Sequence, residues 1–161
     1  SQRQCDSILQ AIHTAELEGG KILTGGTRAT DANLHAGYYI KPTLIEGLSH
    51  SQTLPNTEIF GPVATLHKFT SIEEALTMAD MTSYGLTASI HTRSADRGMW
   101  FAQRARVGAA NINLATFGSE PHMPFGGFGD SGNGTREPGT EALDVYSELK
   151  TISMLVRSDL I

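Results

Sequence analysis

Cysteine is almost missing from this chain: Cys5 is the one thiol in 161 residues. A single cysteine closes no internal disulfide and builds no thiolate zinc site, and its scarcity fits a reducing, cytoplasmic setting. Cationic excess is missing too. Twelve Lys and Arg stand against seventeen Asp and Glu, a formal charge of −5 with no basic stripe, so no nucleic-acid partner is expected. Apolar runs stop after a few residues, far short of the roughly 20 that cross a bilayer, so no membrane partner is expected either. The six histidines, at 13, 35, 50, 67, 91 and 122, form no i, i+4 pair and join no Cys or Asp cluster. A metal site is therefore not predicted. No phosphate-binding glycine fingerprint falls between a strand and a helix. The opening residues, Ser1-Gln-Arg-Gln-Cys-Asp6, contain neither Met nor an apolar leader, which reads as a segment of something longer.

What is present describes an ordinary globular chain of one-domain length, with 39% hydrophobic and 18% charged residues. Cys5, Ile8, Leu9, Ile12 and Ala15 recur at helical spacing before Gly19-Gly20, predicting a helix over about 2–18 and a strand at 21–24. A surface loop follows over 25–37. Strands are expected at 38–46 (with Pro42 placing it at an edge) and at 63–69. Ser71 and Glu74 form a capping box for a helix whose face is Ile72, Ala75, Leu76 and Ala79. Further expectations are a strand at 86–92, a helix from Ser94 to about Arg106 with Met99, Trp100 and Ala102 inward, and a strand at 107–114. A long loop over 115–135 leads to a helix from Pro138 to about Ser147. A last strand, 149–156, has no helix to cover it and is a candidate for pairing outside the domain. Alternating strands and helices predict an α/β fold, a mostly parallel sheet flanked by helices.

Two runs combine shaped backbone with chemistry. Thr57-Glu-Ile-Phe-Gly-Pro62 places Glu58 and Phe60 two apart, on one face if the segment is extended. A carboxylate can accept from vicinal hydroxyls and a phenyl ring can lie on a flat heterocycle, which would suit a nucleoside; alternatively the pair is a surface carboxylate beside a core phenyl. Pro124-Phe-Gly-Gly127 leads into Ser131–Glu137, with five glycines in the nine positions 126–134. Arg136 could brace such a loop through carboxylates. Asn111 and Asn113, in an apolar run, need partners and are expected to pin a neighbouring loop. Cys5 lies on the apolar stripe of the first helix between Arg3 and Asp6, so it reads as a small hydrophobe rather than a nucleophile.

In order along the chain stand 16–20 with 25–26, 37–43, Glu58-Ile-Phe-Gly-Pro62, Tyr84–Ala88, Val107-Gly with Asn113, Pro124-Phe-Gly-Gly127, Ser131-Gly132 with Arg136-Glu137, and Tyr146 with Lys150-Thr151. Together they resemble the aldehyde dehydrogenase superfamily, from about residue 2 to 155. The resemblance implies a C-terminal part of the catalytic domain, over 1–147, and an oligomerisation strand and tail, over 148–161. It implies an enzyme that oxidises an aldehyde to a carboxylate with NAD or NADP as cofactor. Glu58 would hold the nicotinamide ribose and Phe60 would pack on the nicotinamide. Phe117, Glu120, His122 and Phe125 would line the substrate pocket. Asn113, Arg136, Glu137 and Glu148 would serve structure and interface, and 149–156 would build a homo-oligomer. The family's nucleophilic cysteine, base glutamate and cofactor domain would all lie upstream, so no catalytic residue is expected in this segment. The segment alone is then expected to be inactive and to bind no cofactor by itself. The other expectation is a stand-alone, non-catalytic remnant acting in assembly or weak nucleotide binding.

Overall fold

The computed structural model describes residues 1–156, apart from the side chain of Ala32. Helix α1 (Gln2–Leu17) starts where the Ser1 hydroxyl accepts from the Gln4 amide, and it buries Cys5, Ile8, Ile12 and Ala15 along one stripe. That stripe covers a sheet of three strands: β1 (Lys21–Thr24), β2 (Thr43–Glu46) and β3 (Val63–Leu66). β1 runs antiparallel to β2, and β2 runs parallel to β3 with Ile45 opposite Thr65. Ile8, Ile12, Ala15, Ile45, Leu48 and Leu54 form the core, with Ile22, Ile40, Ile59 and Val63 packed around it. Thr43, the buried polar residue here, is satisfied on both sides: its Oγ1 accepts from Gly26 N at 2.8 Å and donates to Lys41 O at 2.8 Å.

The second half builds two smaller pairings. α2 (Ile72–Ala79) begins at Ser71, whose hydroxyl accepts from Glu74 N at 3.1 Å. Glu74 returns to the Ser71 backbone only weakly, its stronger partner being the residue before the cap. Its carboxylate accepts from Thr70 N and Thr70 Oγ1, both at 2.7 Å, one residue further back. β5 (Thr87–Ile90) pairs in parallel with β6 (Ala109–Ile112), and α3 (Ala95–Arg104) is the crossover between them. β4 (Tyr84–Gly85) pairs antiparallel with β7 (Phe128–Gly129). A short helix, α4 (Ala142–Val145), follows.

The α/β class therefore holds, but the mostly parallel sheet does not: three small sheets of mixed sense take its place. The strand expected at 21–24 forms with those bounds, while those expected at 38–46, 63–69, 86–92 and 107–114 are each cut to four residues. α3 buries Gly98 and Phe101 rather than Met99, which is exposed, since the seat against β6 must take Ile112 against a residue without a side chain. The helix expected over 138–147 is confined to Ala142–Val145. Residues 149–156 join no ladder in the isolated chain, and their Leu, Ile, Met and Val side chains stand exposed; 157–161 of the expected tail lie outside the described residues. The whole chain exposes 11760 Å². A compact monomer of 17.3 kDa would expose roughly 7,800 Å². About half as much again is open, much of it apolar.

Candidate functional site

The Glu58 motif is carried by the core. Leu54 begins a short 3-10 turn (Leu54–Asn56) and is buried against α1; five residues on, Ile59 packs on the same cluster. With Ile59 turned inward, its neighbours Glu58 and Phe60 face out, and Phe60 is 77% exposed. Phe60 holds φ 52, the left-handed region that non-glycine residues rarely occupy. Two contacts with α1 keep it there. The Gln4 side-chain amide donates to Ile59 O at 3.0 Å and to Phe60 O at 3.4 Å. Gly61 passes so near α1 that a Cβ would sit 2.6 Å from Ile8 Cδ1. Pro62 then hands the chain to the sheet, its carbonyl accepting from Thr43 N at 2.8 Å.

Glu58 borders two clefts. One, of about 460 Å³, runs between the Leu54 turn, Phe60 and β3. The other, of about 420 Å³, lies between Glu58, Tyr84, Val107 and Ser131, so the motif and the glycine loop share a wall. The loop is seated backbone to backbone. A Cβ on Gly108 would lie 1.6 Å from Gly126 O, a gap no side chain can enter. Gly108 N donates to Gly85 O at 3.0 Å, and Gly85 N donates to Ser131 Oγ at 3.2 Å. The Arg136 guanidinium closes the loop, donating to Thr135 O at 2.8 Å and Gly127 O at 3.4 Å while lying 5.0 Å from the Phe128 ring centroid. The brace is made to carbonyls and a ring, not to carboxylates as the sequence suggests; beside it Phe125 and Glu137 exchange backbone N–H···O bonds of 3.0 and 2.8 Å.

The remaining site residues do not line the cleft that Glu58 shares with Ser131. Phe117 is 84% exposed, Glu120 and His122 are exposed on the same loop, and Phe125 sits at the loop's base. Glu148 is exposed on the C-terminal stretch. Asn113 is tied to Thr92: its Oδ1 accepts from Thr92 N at 2.8 Å and its Nδ2 donates to Thr92 O at 2.9 Å. Asn111 reaches Thr87 Oγ1 at 3.3 Å. Cys5 is buried on the α1 stripe. Among the described residues no group of three or more His, Cys, Asp and Glu converges as metal ligands, and no helix is long and apolar enough to cross a membrane.

Two features escape the sequence. Gln4 is an exposed amide at the start of a helix, and nothing in its spacing points 55 residues onward to Ile59. His50 and His67 stack with ring centroids 4.3 Å apart, and burial followed by the neighbouring His50 pushes the His67 pKa below its ordinary value.

The model of the Aldehyde dehydrogenase family matches residues 1–152. The chain belongs to the aldehyde dehydrogenase family. It is 36% identical over 152 residues to an alpha-ketoglutaric semialdehyde dehydrogenase of Bacillus subtilis (strain 168), covering 94% of this chain and 31% of that protein. To human retinaldehyde dehydrogenase 3 it is 39% identical over 153 residues, covering 95% of this chain and 29% of the relative. Among solved structures, betaine aldehyde dehydrogenase of Staphylococcus aureus in complex with NAD+ superposes with a TM-score of 0.87 at 29% identity, covering 91% of this chain and 28% of that one. Mycobacterium tuberculosis aldehyde dehydrogenase complexed with NAD+ superposes with a TM-score of 0.85 at 30% identity, covering 92% and 30%. This aldehyde dehydrogenase chain thus spans under a third of the length of these relatives.

Proposed function

We propose that this chain is the C-terminal part of the catalytic domain of an NAD(P)+-dependent aldehyde dehydrogenase, supplying the nicotinamide-side wall of a site whose reacting groups lie on the rest of the polypeptide. One observation carries the reading. Ile59 is fixed in the core while Glu58 and Phe60 are held outward on an open cleft, with Phe60 in a strained backbone conformation. Strain of this kind persists only where surroundings over-determine it, and it concentrates at ligand clamps. On this reading Glu58 accepts hydrogen bonds from the ribose hydroxyls of NAD or NADP, and Phe60 packs against the nicotinamide. The glycine loop across the cleft brings Phe125 toward an aldehyde channel, with Phe117, Glu120 and His122 facing the incoming substrate. When bound, the dinucleotide supplies the hydride acceptor; this chain's own part is to orient it and exclude water from one side.

Arg136, Glu137 and Glu148 would brace the face that meets another subunit, and 149–156 would pair there as an edge strand. The excess of open apolar surface supports a chain completed by further protein. A cytoplasmic location remains part of the proposal.

Catalytic turnover tests it. The purified chain, given NAD+ or NADP+ with an aldehyde, is expected to produce no NAD(P)H, and activity abolished by Cys5→Ala would overturn the assignment. Residues 1–156, grafted in place of the matching segment of the Bacillus relative, are expected to restore turnover. Glu58→Gln in that chimera is expected to weaken dinucleotide use by about tenfold to a hundredfold, the usual worth of a charge-assisted hydrogen bond. An unchanged KM and kcat would sink the role given to Glu58.

A further inference from the structure

The stacked histidines lie in a separate cavity of about 680 Å³, walled by Lys21, Glu46, Leu48, His50, His67 and Met78. His50 belongs to the segment that links β2 to the Glu58 motif, and His67 follows β3 directly. The His67 ring is held from below, its Nε2 3.0 Å from Thr65 Oγ1. The His50 Nε2 is sealed from solvent and has no hydrogen-bond partner among the described residues. An imidazolium there would carry a buried N–H with nothing to accept it, facing a second ring 4.3 Å away. Stacking of this geometry belongs to neutral rings.

The His50 backbone connects the pair to the motif. Asn56 Nδ2 donates to His50 O at 2.5 Å and to Gln52 O at 2.8 Å, and Asn56 stands two residues before Glu58. The same segment is tied to the end of α1, where the Glu18 carboxylate accepts from Thr53 N at 3.1 Å and Thr53 Oγ1 at 2.6 Å. His50 and Asn56 are thus tied directly through the His50 carbonyl, while Glu18 holds the other side of the turn.

We propose that His50 and His67 form a proton-operated latch: neutral, they stack and hold the 50–56 segment against β3, and on protonation they separate and release the approach to Glu58. The charges around the pair set its direction. Lys21 from β1 and Lys68 beyond β3 both oppose a further positive charge. Glu46 from β2 favours one, but it is paired with Lys21 at 3.3 Å. α2 contributes the uncharged Met78. The first proton makes the second harder to add, and each acts against the stack. The pull of burial and of His50 on His67, already noted, has the same sign. The coupling is a property of this chain by itself; only its consequence, weakened dinucleotide binding in mild acid, rests on the function proposed for Glu58.

Amide and imidazole NMR titration of the intact chain from pH 8 to pH 5, without cofactor, tests the latch apart from that function. The His67 ring is expected to titrate below an ordinary histidine, and the amides of Asn56, Glu58 and Phe60 are expected to shift with its midpoint. In His67→Gln, which keeps a hydrogen-bonding group near Thr65 but cannot titrate, that shared midpoint should vanish. His50→Gln provides the same check should the first variant fold poorly. Amides at 56–60 that stay fixed while His67 titrates, or that titrate unchanged in the variants, would overturn the latch. Loss of dinucleotide binding in Glu58→Gln with the latch intact would leave the two proposals separable.

Discussion

At the scale of single residues, backbone geometry decides more here than side-chain chemistry. Gly108 meets Gly126 O so closely that even a methyl group forces the two segments apart, and the neighbour is a carbonyl on fixed backbone rather than a side chain that can swing away. Gly108→Ala is therefore expected to destabilise by more than about 2 kcal/mol and to free the loop that carries Phe125, as read by urea denaturation and loop-amide exchange. Phe60 gives the opposite case. Its ring is exposed and its φ is 52, so Phe60→Gly is expected to fold at least as stably as the parent, gaining up to about 1 kcal/mol. A loss instead would mean that the exposed ring contributes packing unseen in the isolated chain. The sequence showed both positions as members of unusual runs. It did not show that Gly108 and Gly126 meet, since the contact joins segments whose only shared property is the absence of side chains.

At the scale of elements, the helices were legible and the strands less so. α1 and α3 follow from apolar spacing and from Ser1 and Ser94, whose hydroxyls accept at the first turn. α2 begins at Ser71 for the same reason. Strands of four residues leave little alternation to read, and the parallel pairing of β2 with β3 depends on a connection of sixteen residues, Gly47–Pro62, whose path comes from core packing rather than from local signals. α2 also carries a pH-dependent element. Hydrogen bonds from the Thr70 hydroxyl and backbone lower the Glu74 pKa below its ordinary 4.5. A depressed carboxylate pKa stabilises the folded state above the unfolded value, and that stability is lost as pH falls through the folded pKa. The start of α2 is expected to loosen below about pH 4.5, with the change absent in Glu74→Gln; amide exchange at Thr70–Ala75 measures it.

At the scale of the whole molecule, the large exposed area is the dominant fact. Apolar surface this extensive on a chain of one-domain length favours association. The chain is expected to elute above 17.3 kDa in size-exclusion chromatography and to bind a hydrophobic dye, with both effects reduced when residues 149–161 are removed. A monodisperse monomer without dye binding would show that this surface is covered in solution by a rearrangement of the chain. The family was legible from eight runs in order, while the division into three small sheets was not, because contacts such as Gly108 against Gly126 join distant segments that carry no side-chain signal.

Ile59 sits in the middle of its motif and packs on the core cluster that holds Ile8 and Leu54, and its carbonyl is held by Gln4. The order of that edge is thus fixed by the same event that forms the hydrophobic core. A ligand arriving at Glu58 and Phe60 meets backbone whose conformational entropy was lost on folding, so binding has only the outward side chains left to immobilise.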